Sequence, residues 1–385
     1  MLRKLTALLV GGALLVGCSA KVEQGSAKPE GAAGSSDPAA VAKFTTAPVD
    51  GAKDAPVNTP VQVTVAQGSI DQVTLSNPEG KPVAGKVADD KKSWASTEAL
   101  GYGKTYTYAG KATGTDGKSV ELKGAFTTLT PASQVRATLF PSDDQTVGVA
   151  APIMVKFDSD VTDKAAVEKA LTVTNTAGVK GSWAWLGATQ VDYRPEAYWP
   201  ANTKIHVEAK LYGVPYGGGA FGKADVTSDY TVGRNQVVKI DTPTHQLVVQ
   251  QNGQTVATYP ASFGKDADPD LTTPNGTFVV MQKDEQFSFD NPRYGYTNVL
   301  KKWAVRFSNH GEFIHENNDN AANIGKNNTS HGCANLLEAD AKAYYDSALI
   351  GDPVEVTGSI TTLPAQFDWY DWQIPWAQWQ TMSAL

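Results

Sequence analysis

The chain has 385 residues, with 33 Lys plus Arg against 40 Asp plus Glu, a net charge of -7 and 41% apolar positions. That length predicts two or three domains, the apolar fraction excludes a wholly disordered chain, and the mild acidity argues against a dedicated nucleic-acid binder, which needs a clustered basic face. Only 2 cysteines are present, Cys18 and Cys333, so a disulfide-stapled scaffold and a four-thiolate zinc site are both excluded.

In chain order, Arg3 and Lys4 precede an apolar run, Leu5 to Val16, that is too short to span a bilayer and reads as an export signal over residues 1–17. The run ends in Leu15-Val16-Gly17-Cys18, which resembles the bacterial lipoprotein box and implies an acylated Cys18; an ordinary signal peptide with an incidental thiol is the alternative. Residues 18–43 are rich in Ala, Gly, Ser and Pro with little aliphatic bulk, a composition expected of a flexible tether.

Residues 44–130 change to short runs of period two, such as Val61-Gln62-Val63-Thr64-Val65 and Tyr106-Thr107-Tyr108, separated by turn residues. Residues 131–234 repeat this order with drift. Pro152-Ile153-Met154-Val155 echoes Pro60-Val61-Gln62-Val63, Trp183 echoes Trp94, and Thr203-Lys204-Ile205-His206-Val207 echoes Lys104-Thr105-Tyr106-Thr107-Tyr108. Two immunoglobulin-like β-sandwich modules are predicted. His206 reads as a structural or solvent-facing residue of a strand. Gly217-Gly218-Gly219, with no following Lys and helix, reads as a turn rather than a phosphate loop.

Residues 235–358 have a third composition: a strand at Val237-Val238-Lys239-Ile240, a hairpin around Asn252-Gly253, a strand at Thr277 to Met281, and a short Ala-rich helix over Glu338 to Asp346. The overall expectation is a mainly β chain. Residues 359–385 hold Trp369, Trp372, Trp376 and Trp379 around Pro375, with no Lys or Arg, which favours an aromatic clasp on neighbouring domains over a membrane-interface belt.

Three of the 5 histidines, His310, His315 and His331, cluster with Cys333. A thiol with a pKa of about 8.5 needs an imidazole partner to become reactive at neutral pH. His315, at the end of an alternating strand, is the better base, because His331 stands only two residues from Cys333. Gly332 lets the chain turn closely, so the amides of Gly332 and Cys333 could face an oxyanion, and the helix after Asn335 could add a positive dipole end. A buried inert cysteine, or zinc held by Cys333 with His315 and His331, are the alternatives.

His315-Glu316 followed by Ser330-His331-Gly332-Cys333-Ala334-Asn335 is similar to the signature of the L,D-transpeptidase (YkuD-type) family, with Thr273-Pro274-Asn275-Gly276 and Gly351-Asp352-Pro353-Val354 in support. With the lipobox, the sandwich modules and the Trp-rich extension, the chain resembles mycobacterial and corynebacterial lipoprotein members. The resemblance implies Cys333 as nucleophile, acylated by a peptidoglycan tetrapeptide stem with loss of D-Ala. The thioester would then pass to the amine of a neighbouring stem as a 3→3 cross-link. It implies His315 as base and acid, held by the Glu316 backbone carbonyl; Ser330, His331, Gly332 and Asn335 holding loop and substrate; His310 and Gly311 as a substrate-contacting pair; and Tyr296 as a lid residue. It implies carbapenem adducts on Cys333, donor and acceptor stems as partners, a membrane anchor through Cys18, and no metal or organic cofactor. An L,D-carboxypeptidase, a protein-to-wall ligase using the same site, and a non-catalytic wall-binding lipoprotein remain as other readings.

Overall fold

A computed structural model describes residues 41–363 and 369–385. The expected signal segment, Cys18 and most of the expected tether lie outside the described residues. Ala42, 4% exposed, already packs in the first core and Lys43 opens its first strand, so the sandwich begins before the expected end of the tether.

In the first sandwich, Lys43–Ala47, Gln62–Ala66, Ser93–Ser96 and Gly85–Val87 form one sheet, and Gly68–Ser76, Thr105–Gly114 and Ser119–Thr127 the other. Strict alternation explains the facing: Val63 and Val65 point inward while Gln62, Thr64 and Ala66 point out. Val63, Leu75, Trp94, Tyr108 and Phe126 fill the space between the sheets. Each buried aliphatic side chain of this kind contributes about 1.5 to 3 kcal/mol.

The second sandwich pairs Leu171–Asn175 with Lys204–Ala209 antiparallel, as Gly68–Ser76 pairs with Thr105–Gly114 in the first. The echo breaks at the tryptophan strands. Trp94 lies opposite Val63 directly, whereas Gly181–Trp185 reaches Ile153–Phe157 only through the intervening Gln190–Pro195. The outward positions of this sheet are not solvated. Ala184 and Arg194 are 0% and 2% exposed because the C-terminal segment lies over them. The Arg194 guanidinium sits 4.7, 5.3 and 4.6 Å from the rings of Trp372, Trp376 and Trp379 and donates to the carbonyls of Asp371 and Ile374. The tail is a clasp.

In the third region two sheets enclose one core. Strands β1 (Gln236–Asp241), β2 (Gln246–Gln251), β3 (Gln254–Pro260), β4 (Gly276–Val279) and β9 (Pro353–Thr357) form the first, in the order β3-β2-β1-β9-β4. Strands β5 (Gln282–Asn291), β6 (Tyr296–Arg306), β7 (Phe313–Glu316) and β8 (Ala334–Leu336) form the second in chain order. Helix α1 (Glu338–Ser347) buries Ala341 and Tyr344 in the same core, with Ile240, Phe278 and Ile314. Of the β5–β6 hairpin the sequence reading catches only the alternating Ala304-Val305-Arg306-Phe307 end, because Gln282-Lys283-Asp284-Glu285-Gln286 offers no apolar alternation.

This region is fastened to the second sandwich. Gly148 and Ala150 donate backbone hydrogen bonds to Ile350 and Gly351, and Arg234 pairs with the buried Asp352 at 2.6 Å. The tail adds Tyr370, whose hydroxyl lies 2.9 Å from Ser308 Oγ.

Candidate active site

Strands β7 and β8 run parallel, with His315 in register with Asn335. A parallel pair needs a crossover, supplied here by residues 317–333. Side-chain amides hold that loop: Asn317 Nδ2 donates to Asn335 Oδ1 at 2.8 Å and Asn323 Nδ2 to Asn320 Oδ1 at 2.8 Å. Cys333 stands two residues before Asn335 and so leaves the chain on the same face. Cys333 and His315 line one cleft of about 580 Å³, together with His310, Gly311, Tyr296, Ser330, His331 and Asn335. Of the residues expected at the site, Gly332 and Glu316 support the cleft from behind.

His315 is 5% exposed, and the Phe289 ring lies 4.9 Å from its own. Its Nδ1 is 2.6 Å from the Glu316 carbonyl. A carbonyl only accepts, so Nδ1 carries the proton and the lone pair of the neutral ring is on Nε2. Asn335 Nδ2 stands 3.3 Å from that Nε2 and donates to it. Burial pushes the imidazolium down to about 4, with the Glu316 carbonyl pulling the other way.

Cys333 is half-buried and has no disulfide. Desolvation pushes its thiol up to about 12; a hydrogen bond from the Phe313 backbone lowers it, and the Glu312 charge raises it further. Its Sγ lies 3.9 Å from the Gly311 carbonyl oxygen. Burial thus disfavours the charged form of both groups. Each also has another partner, the Gly311 carbonyl for the thiol and Asn335 for Nε2, which works against the ion pair by which a histidine could raise the thiolate fraction.

The loop ahead of the cysteine is tied from both sides. Ser330 Oγ donates to the Cys333 carbonyl at 2.6 Å and accepts from Gly332 N–H at 3.1 Å. The Gly332 amide therefore serves the turn, and the expectation that it faces an oxyanion does not hold. Thr273 Oγ1 donates to the Gly332 carbonyl at 2.7 Å, which gives the Thr273-Pro274-Asn275-Gly276 segment its place at the site. Gly332 has φ +121°, a conformation that L side chains rarely adopt. The expected dipole contact also fails: β8 separates Cys333 from α1, whose first N–H, on Glu338, is taken by Asn318 Oδ1 at 3.0 Å.

His331 is exposed between two tyrosines, with ring centroids 5.0 Å from Tyr294 and 5.6 Å from Tyr296. Tyr296 stands at the start of β6, where the β5–β6 hairpin overhangs the cleft. Tyr294 was missed by the sequence reading, although Tyr294-Gly295-Tyr296 carries the signal. Glu312 was missed too: it is 3% exposed, and its Oε1 lies 2.6 Å from His310 Nδ1. A charged residue directly before the apolar Phe313-Ile314 pair was the available clue. Among the described residues no three His, Cys, Asp or Glu side chains converge as metal ligands would.

Comparison with known proteins adds to this geometry. The family model of the L,D-transpeptidase catalytic domain (YkuD) matches residues 235–356, and that of the bacterial Ig domain matches residues 52–215, running through both sandwiches. L,D-transpeptidase 5 of Mycobacterium tuberculosis is 42% identical over 377 residues, spanning 97% of this chain and 82% of that relative. The chain belongs to the L,D-transpeptidase family. L,D-transpeptidase 2 of the same species is 36% identical, over 89% of this L,D-transpeptidase and 85% of the relative. Among solved structures, that of LD transpeptidase LdtMt1 in complex with imipenem superposes with a TM-score of 0.50 at 30% identity, covering 59% of this chain and 100% of the other. The enzyme is thus a mainly β L,D-transpeptidase with an immunoglobulin-like region ahead of its catalytic domain.

Proposed function

We propose that this enzyme cross-links peptidoglycan stems through a thioester on Cys333. The observation that carries the reading is the sharing of one cleft by Cys333 and His315, with His315 Nδ1 spent on a carbonyl and its lone pair on Nε2. As a donor stem enters, Nε2 gives up the hydrogen bond from Asn335 Nδ2 and takes the thiol proton, and sulfur attacks the carbonyl of the third, diamino-acid residue. The C–N bond then breaks, and D-Ala leaves with the proton from His315. No outside energy source is needed, because the amide's acyl group is retained as the thioester. The side-chain amine of a neighbouring stem takes the acyl group, closing a 3→3 link.

Ser330 and Thr273 hold the Cys333 loop, His331 with Tyr294 and Tyr296 forms the wall over the donor, and Asn335 with the Glu316 carbonyl sets the face of His315. An acylated Cys18 would anchor the enzyme at the outer face of the plasma membrane, since two or more chains make a stable anchor. The tether and the two sandwiches would carry the cleft toward the wall. Replacing Cys18 by Ser would then release the protein from membranes.

The test is to incubate the purified full-length protein with tetrapeptide stems and weigh the products. A cross-linked dimer with D-Ala released supports transfer. A free tripeptide alone assigns the site to hydrolysis, and no reaction with either stems or imipenem refutes the thioester. A single imipenem adduct that Cys333→Ala abolishes is expected.

A further inference from the structure

The acceptor of a transpeptidation is an ammonium at neutral pH, and it must lose a proton before it can attack a thioester. His315 has one lone pair, and in the first half-reaction it delivers its proton to the departing D-Ala. A second titratable pair lines the same cleft. His310 and Glu312 bracket Gly311, whose carbonyl oxygen is 3.9 Å from Cys333 Sγ. Glu312 reaches the cysteine loop as well: a Cβ built on Gly332 would lie 3.6 Å from Glu312 Oε1.

The pair has the form of an imidazole oriented by a carboxylate. His310 Nδ1 is 2.6 Å from Glu312 Oε1, and a carboxylate only accepts, so the lone pair of the neutral ring is on Nε2. The His310 backbone is pinned by its N–H donating to Ser308 Oγ at 3.0 Å, and Ser308 is held in turn by Tyr370 of the C-terminal clasp. The His310 side chain is 45% exposed while that of Glu312 is 4% exposed, so the ring faces the cleft and the carboxylate stands behind it. The second oxygen, Glu312 Oε2, is buried with no hydrogen-bond partner among the described residues, so its charge is not spent on another donor. Asp270 also lines this side, and the charged residues lining the cleft, Asp270, Glu312, Asp319 and Lys301, carry three carboxylates against one ammonium. That Lys301 ammonium is already held by Asn317 and Asp319. A cation entering the cleft is drawn to the His310 side.

We propose that His310, oriented by Glu312, binds the acceptor ammonium and takes its proton in the transfer step. The proposal rests on the reading of Cys333 as the acylated nucleophile. One proton of the ammonium passes to His310 Nε2, and the freed amine attacks the thioester carbonyl. A C–N bond forms and the C–S bond breaks, with sulfur leaving as the thiolate. A second proton of the amine returns to sulfur through His315, the third stays on the new amide, and His310 releases its proton to solvent. The Glu312 carboxylate, first among the influences on His310, raises its pKa above the ordinary 6.5 and makes the ring a stronger base. His310 is the catalytic residue of this step and Glu312 its positioning residue.

The experiment measures the ratio of transfer to hydrolysis from one thioester pool, so that the rate of acylation drops out. Full-length wild type, His310→Gln, Glu312→Gln and Glu312→Asp are given a tetrapeptide donor and increasing diamino-acid acceptor, and in parallel hydroxylamine, an amine already neutral at pH 7. We expect the transfer ratio with the ammonium acceptor to fall more than tenfold in His310→Gln and Glu312→Gln. The acceptor KM should rise, Glu312→Asp should recover part of the loss, and the ratio with hydroxylamine should change less than threefold. An unchanged ratio with the ammonium acceptor, or an equal fall with hydroxylamine, overturns the role of the pair while leaving the thioester intact. A wild type that yields no acyl-enzyme mass refutes the thioester itself, and the pair's role falls with it.

Discussion

Two imidazoles line one cleft with the Cys333 sulfur, and the protein treats them in opposite ways. His315 is buried, its proton fixed by a backbone carbonyl, and its cationic form is pushed down to about 4. His310 is half-exposed, its proton fixed by a carboxylate that raises its pKa above the ordinary value. The difference shows that residue type alone does not set a histidine's charge. A carbonyl partner selects the tautomer and favours the cation, but less than burial disfavours it, whereas the carboxylate beside His310 outweighs burial there. Burial keeps one ring from charging, and the carboxylate lets the other hold a charge more readily.

The largest expected effect separates the two rings in acylation. His315→Gln should slow single-turnover acylation by imipenem by about a hundredfold to ten-thousandfold, with the smaller loss in His310→Gln. Equal losses, followed by intact-mass spectrometry, would erase the distinction. The resting state of the sulfur is checked by alkylation. With the thiol pushed up to about 12, iodoacetamide labelling of Cys333 should climb about tenfold per pH unit to pH 10 and beyond without levelling. A plateau near neutrality would mean a resting thiolate.

A third measurement reads the buried ring through stability. The His315 value when folded lies below its ordinary 6.5, so the unfolded chain binds the proton first, and stability is lost as pH falls from 6.5 through about 4. Asp352, pushed up to about 6 by burial, acts the other way between 3.8 and 6. The wild-type curve alone therefore mixes both. Set against His315→Gln by chemical denaturation, wild type should lose about 3 kcal/mol across that window. Equal pH slopes would show that the ring titrates normally. The smallest effect is at Gly332→Ala, next to the Glu312 carboxyl, where φ +121° should cost about 1 to 3 kcal/mol in thermal unfolding.

Much of this was legible from the residues. Alternation marked the sandwich strands, Asn252-Gly253 marked a hairpin, and the hexapeptide around Cys333 named the family and pointed to its cleft. The misses have physical causes. The β5–β6 hairpin is legible only at its Ala304-Val305-Arg306-Phe307 end, because the polar run from Gln282 to Gln286 hides the short alternation of Phe287 and Phe289, whose rings pack on Phe313. The amide of Gly332 was lost to Ser330 Oγ because side chains of Ser compete locally for backbone donors, a choice made by torsion angles that a motif does not encode. The helix dipole was misplaced because a three-residue strand, β8, too short to announce itself, intervenes.

Sequence by itself determined the chemistry present: one cysteine among a cluster of histidines, strands enough to carry them, and a tail of tryptophans without basic residues. These depend on composition and local period, which need no knowledge of distant partners. Tertiary structure alone decided that Glu312 stands behind His310, that Tyr294 joins Tyr296 over His331, and that Arg194 gathers three tail tryptophans over the second sandwich. It also decided which of two identical rings would be dry. Burial and charge are set by what the fold packs against each group, and those neighbours come from stretches of chain far apart in sequence.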